Sequence, residues 1–213
     1  MSAVLAPAMQ RVRVERHGLT PYLPAVEAMR EFTARRGADT PDALWLLEHP
    51  PVYTLGLGAD SAHGPRGDYG IPVQRVERGG QVTYHGPGQL VLYTLVDIAR
   101  RGLGVREFVA MLEQSVIDLL AADGVRAARL PGAPGVYVEG AKIAALGLRV
   151  SRGRTFHGLA LNVDVDLAPF AAIDPCGYPG LRVTRLRDLG IGHTCAEAGE
   201  RLAEILVARL AHA

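Results

Sequence analysis

Of 23 basic residues in this chain, 22 are arginine and one, Lys142, is lysine. An arginine guanidinium stays charged at any physiological pH, whereas a lysine ammonium can be made to release its proton, so a sole lysine is a candidate for acid/base work. The bland alternative is a stray surface lysine in a chain rich in Ala, Arg and Gly. Downstream lies Cys176, in Asp174-Pro175-Cys176-Gly177-Tyr178-Pro179-Gly180, where prolines and glycines break any helix or central strand and force a turn. Most unpaired cysteines are small buried hydrophobes, but these neighbours do not suit a core. A thiol of pKa about 8.5 is only about 3% thiolate at pH 7, so a nucleophilic cysteine needs a cation or base beside it, and Lys142 is the candidate. Cys195 is the rival: it starts a helix, whose N-terminus can lower a thiol pKa, but no other reactive-looking residue surrounds it.

The elements that must position these residues follow from pattern. Gly135 to Val150 reads as a hairpin turning at Glu139-Gly140, with Lys142 just past the turn. A second turn at Ser151 to Gly153 feeds the strand Thr155 to Val163. Small residues at Ala144, Ala145, Gly147, Gly158 and Ala160 make either a slot for an apolar chain or close sheet packing. Four glycines between Arg78 and Gln89 allow the backbone to approach a ligand, or to make a simple glycine turn. Val12 and Val14 alternate with charged residues in a strand. Thr20-Pro21 opens a helix with Leu23, Val26, Met29 and Phe32 on its inner face. Ala43 to Glu48, Val52 to Leu55 and Leu90 to Val96 read as buried strands. Gly56 to Pro72 reads as a loop carrying a solvated His63. The helix of Val105, Phe108, Val109, Leu112, Val116, Leu119 and Leu120 reads as core packing alone, stopped at Gly124, and a last helix is capped by Thr194 with Glu197.

Composition bounds the function. At 213 residues, 48% hydrophobic and 21% charged, the chain suits one soluble domain over 1–213. A net charge of +1 without long basic runs gives nucleic-acid binding no electrostatic footprint. Met1 to Gln10 lacks the pattern of a secretion signal, two cysteines are too few for a disulfide scaffold, and no apolar run approaches the roughly 18 residues of a membrane span. The expectation is a cytoplasmic protein with no membrane role. His49, His85 and His157 lack metal-type spacing, and neither a metal nor a cofactor is expected.

Taken together, Glu48-His49-Pro50-Pro51-Val52-Tyr53-Thr54-Leu55-Gly56, the Arg78 to Gln89 run, Gly140-Ala141-Lys142-Ile143-Ala144, His157-Gly158-Leu159-Ala160-Leu161-Asn162-Val163 and Pro175-Cys176-Gly177 resemble the lipoyl(octanoyl) transferase family. The resemblance covers most of the chain; Leu57, where a polar or basic residue is usual, is a minor departure. It implies an α+β fold of the biotin/lipoate protein ligase type, a mixed sheet plus a smaller sheet with flanking helices. It also implies transfer of an octanoyl group from octanoyl-acyl carrier protein, through a cysteine thioester, to a lysine of lipoyl domains, those of 2-oxoacid dehydrogenase complexes and the glycine cleavage H protein, in lipoate biosynthesis. Cys176 would be the nucleophile and Lys142 its partner. Arg78, Gly79, Gly80, Gln81, Val82, Thr83, Tyr84, His85, Ala145, Leu146, Gly147, Gly158, Leu159 and Ala160 would line the acyl pocket. Two other readings stay open: an ATP-dependent lipoate or biotin ligase, distinguished by ATP consumption, and a non-catalytic carrier-protein binding module, which would bind normally without Cys176.

Overall fold

The computed structural model describes residues 11–60, 63–67 and 70–213, Cys176 among them by its backbone alone. Met1 to Gln10 and parts of the Gly56 to Pro72 loop lie outside the described residues. Seven strands among the described residues, β1 (Val12–Leu19), β2 (Asp42–Glu48), β6 (Gln89–Leu95), β7 (Ala128–Leu130), β8 (Ala133–Val138), β9 (Ala141–Ser151) and β10 (Arg154–Asn162), form one sheet in the order β1-β2-β6-β10-β9-β8-β7. Three more, β3 (Val52–Leu55), β4 (Val73–Arg75) and β5 (Val82–His85), form a second sheet in the order β4-β3-β5. β1 runs parallel to β2 and β3 parallel to β4, while the other pairings are antiparallel.

The continuous apolar runs become central strands: every residue of β6, and all but Glu48 of β2, is buried. The two expected hairpins form, and their chemistry is visible in the backbone. Glu139 and Gly140 have φ of 49° and 77°, and Arg152 and Gly153 have 50° and 75°. Positive φ at both central residues gives the twist that suits a two-residue antiparallel turn. β8, β9 and β10 are thereby one continuous meander.

Among the described residues three α-helices cover this sheet: α1 (Tyr22–Arg35), α2 (Val105–Ala122) and α3 (Cys195–Ala211). α2 and α3 pack on one face through Phe108, Leu112, Leu119, Leu202 and Leu206, against Leu44, Leu90, Leu92, Leu159 and Leu161. α1 packs on the other through Tyr22, Val26 and Met29, against Trp45, Val91, Tyr93 and Ala160. Leu23 and Val105, expected on inner faces, are instead exposed, because the phase of each helix is set by which of its residues meet the sheet. Thr194 caps α3 as expected, accepting from the Glu197 N–H. Among the described residues no helix is long and apolar enough to cross a membrane.

Candidate active site

A cleft of about 480 Å³ lies between the inner face of the large sheet, the small sheet and the start of α1. Arg78, Gly80, Gln81, Val82, Thr83 and His85 form one wall, and Ala145, Leu146, Gly147, Gly158, Leu159 and Ala160 the other. Register explains the second wall: Ala145 lies opposite Ala160, and Gly147 opposite Gly158, on β9 and β10. Two expected residues do not line it. Gly79 is held behind the wall, donating to Leu148 O at 2.8 Å, and Tyr84 turns into a separate core beside Tyr53 and Phe170.

Four lining residues were missed by sequence reasoning: Tyr22, Val91, Tyr93 and His157. Val91 and Tyr93 alternate along a strand that read as core, and Tyr22 reaches the cleft from the first turn of α1. His157 stood within a quoted motif, and its left-handed backbone, φ 61°, is visible only in three dimensions. Its Nε2 is buried and meets no hydrogen-bond partner among the described residues, and burial lowers its pKa to about 3. His49 donates from Nδ1 to Thr20 O at 2.6 Å and accepts at Nε2 from the Tyr93 hydroxyl at 2.7 Å, and burial lowers its pKa to about 4. His85, 2.7 Å from Gln89 Oε1 through Nδ1, is held well below the usual histidine value, first by burial and then by the charges of His49 and Arg78. The Arg78 guanidinium is buried and donates to Thr54 O at 2.7 Å and Thr54 Oγ1 at 2.8 Å.

The glycines on the second wall do not act as simple vacancies. A Cβ on Gly158 would fall 2.0 Å from Leu92 O, so its absence permits the close β10/β6 approach. A Cβ on Gly147 would lie 3.0 Å from Gly79 O and 3.1 Å from Arg78 Cδ, so this glycine lets the Arg78 segment descend onto β9. Of the two readings left open for these small residues, close packing fits both.

Lys142 is not a stray surface residue: it is 3% exposed. Its Nζ donates to Pro134 O at 3.0 Å and lies 5.1 Å from the centre of the Tyr137 ring. It borders a smaller cavity of about 280 Å³ together with Thr83, Gln89, Ala145, Asn162, Phe170, Pro175 and Val183. Thr83 and Ala145 line the large cleft as well, so the two spaces adjoin at these residues.

Pro175–Gly177 forms a single 3-10 turn, and the Cys176 side chain lies outside the described residues. Both flanks of the turn are anchored. Upstream, Asp174 accepts from Arg66 Nη1 at 3.0 Å and bonds His63 Nδ1 at 3.1 Å, so His63 is not merely solvated. These hydrogen bonds, His63 first and then Arg66, hold the Asp174 carboxyl below its usual pKa. Downstream, Lys142 N donates to Arg182 O at 2.8 Å and Thr184 N to Lys142 O at 3.0 Å, laying the segment after the turn alongside the lysine. The rival Cys195 sits at the start of α3, across the sheet from the cleft, and its thiol pKa is raised by burial and by Glu48. The helix terminus is outweighed there.

Among the described residues, no group of three or more His, Cys, Asp or Glu could hold a metal ion. The chain is 61% identical over 194 residues to an octanoyltransferase of Azoarcus sp. (strain BH72), covering 91% of this chain and 86% of that one. It is 62% identical over 189 residues to an octanoyltransferase of Aromatoleum aromaticum, covering 89% and 81%. The fold matches a putative lipoate protein ligase from T. acidophilum with bound lipoic acid, at a TM-score of 0.73 and 17% identity over 94% of this chain and 92% of that one. The mixed seven-stranded sheet, the small sheet and the flanking helices thus form the α+β architecture of the lipoate and biotin ligases. Residues 21–207 match the lipoyl protein ligase A/B catalytic domain, and the chain belongs to that family.

Proposed function

We propose that the chain is a cytoplasmic enzyme, a single catalytic domain over residues 1–213, that moves an octanoyl group from octanoyl-acyl carrier protein to a lysine of lipoyl domains, those of 2-oxoacid dehydrogenase complexes and the glycine cleavage H protein. The observation that carries this reading is that Thr83 and Ala145 line both the cleft and the space bordered by Lys142 and Pro175. An extended eight-carbon chain is roughly 9 Å long, from C–C bonds of about 1.5 Å. At about 3.3 Å per strand residue it covers some three residues. Starting level with Ala145, it ends level with Leu148, the β9 partner of His157.

In the proposed chemistry the Cys176 thiolate attacks the carrier's thioester carbonyl, and the carrier's thiol departs with a proton from Lys142. One thioester replaces another at little free-energy change. The incoming lysine amine then attacks the Cys176 thioester, forming an amide and expelling the Cys176 thiolate, while Lys142 takes up the one proton the amine gives up, which restores the starting thiolate and ammonium. A thiol pKa lowered by about 1.5 corresponds to about 2 kcal/mol, within reach of one close ammonium in a partly dry site. The ligase reading is disfavoured by the names of the relatives at about 60% identity, since likeness at 17% speaks for the fold alone.

Intact mass after incubation with octanoyl-acyl carrier protein tests the proposal. The expected result is a stable gain of one octanoyl group without ATP, absent in Cys176→Ser. Acylation that requires ATP, or persists in Cys176→Ser, would overturn it.

A further inference from the structure

The peptide unit joining Pro134 to Gly135 is held at both of its polar ends. Its N–H, on Gly135, donates to Glu113 Oε1 at 2.9 Å, and its C=O, on Pro134, accepts from Lys142 Nζ at 3.0 Å. A peptide unit is planar, with N–H and C=O pointing in opposite directions, so fixing one end fixes the other. Glu113 lies on α2 within a largely apolar face, 7% exposed, with Oε2 3.0 Å from Arg129 Nε. A carboxylate in such a place is costly unless hydrogen-bonded, and both of its oxygens are engaged. Gly135, at φ 137°, is required on steric grounds too: a Cβ would lie 2.7 Å from Ala144 O and 3.0 Å from Lys142 Cε.

We infer that Glu113 is a positioning residue for Lys142, acting through this one peptide unit. The carboxylate at the N–H end and the lysine nitrogen at the C=O end polarise the peptide in the same sense, so the two bonds strengthen each other. Without the carboxylate the unit is free to rotate, because glycine tolerates both signs of φ. The carbonyl then turns away, and Lys142 leaves both Pro134 O and the Tyr137 ring.

The effect on rate rests on the proposed role of Lys142, but the position of the lysine is measurable independently. Because the chain has one lysine, ¹³C-lysine labelling of the full chain gives one ε-CH₂ correlation, displaced by the Tyr137 ring. Glu113→Gln keeps an acceptor for Gly135 N–H and is expected to leave the signal in place and transfer within about twofold. Glu113→Leu keeps bulk without an acceptor: the signal is expected to move towards that of a flexible lysine, and kcat for octanoyl transfer to fall about 10- to 100-fold at unchanged KM, as for a misplaced group. Should the leucine variant not fold, Glu113→Asp, which withdraws the acceptor by one methylene, is expected to move the signal likewise. An unmoved signal in a folded Glu113→Leu or Glu113→Asp protein overturns the inference. A moved signal with undiminished transfer upholds the positioning and removes Lys142 from the chemistry.

Discussion

Three buried histidines on the cleft side of the sheet should make this protein sensitive to mild acid. His49 and His157 have pKa values lowered to about 4 and about 3, and His85 is also held well below its usual value, each chiefly by burial. In the unfolded chain each would titrate near 6.5. The folded-state values are the lower ones, so the unfolded state binds more protons as the pH falls. The stability associated with neutral histidine is present in full above about pH 7 and is lost from about 6.5 downwards, until near pH 4 the folded state begins to take up protons as well. One group contributes about 1.4 kcal/mol of loss between pH 7.5 and 5.5, so the three together give about 4 kcal/mol. That is a large share of a typical 5–15 kcal/mol. Carboxylates with depressed pKa values, Asp42 and Asp174 among them, act at lower pH and leave this window to the histidines. Urea unfolding followed by far-UV circular dichroism at both pH values measures the loss. His157→Asn, which keeps a residue tolerant of the left-handed backbone but removes one titrating ring, should reduce it to about 3 kcal/mol. A loss under about 1 kcal/mol in the wild-type chain would refute the reasoning.

Lys142→Arg, in a Cys195→Ala background, should preserve the readiness of Cys176 to be alkylated better than it preserves acyl transfer, which should fall about 10²- to 10⁴-fold; full transfer would exclude proton exchange by Lys142, and an unchanged thiol pKa in Lys142→Ala would exclude the pairing. Gly158→Ala should cost about 3 kcal/mol in a denaturant titration, because the clash is with the Leu92 backbone rather than a movable side chain. Asp42 accepts from Arg36 Nη2, Arg100 Nη2 and Arg101 Nε, and is fully buried. Asp42→Ala, leaving these cations without it, should lower stability by about 3–5 kcal/mol, and a change below about 1 kcal/mol would show that they find other partners.

What could be read before folding was local chemistry. The Glu139-Gly140 turn announces itself because few residue pairs accept positive φ twice, and Cys176 is marked as a loop residue by the prolines and glycines around it. The β4-β3-β5 order was not readable, since it joins segments that no periodicity links. Nor was the arrival of Tyr22 at the cleft, 56 positions before Arg78. Gly158 shows a subtler limit: its type advertises missing bulk, but only the neighbour at Leu92 O says what would have filled that space. Glu113 was hidden by its surroundings, one of three acids in a helix whose apolar repeat read as core packing alone.

The meander of β8, β9 and β10 has a consequence for the order in which the proposed reactive pair comes into being. Its two-residue turns bring Lys142, Tyr137 and Pro134 together from within a few positions of one another, so their closure entropy is small and they can associate early. The Cys176 turn depends on far longer loops. Asp174 must find His63 and Arg66, 111 and 108 positions away, and the Arg182 to Thr184 segment must come back beside Lys142. A chain still emerging or partly folded therefore holds its lysine ready but keeps the cysteine away from it. On the proposed mechanism, activation of the thiol would await completion of the fold, and an unfinished molecule would be spared a reactive sulfur.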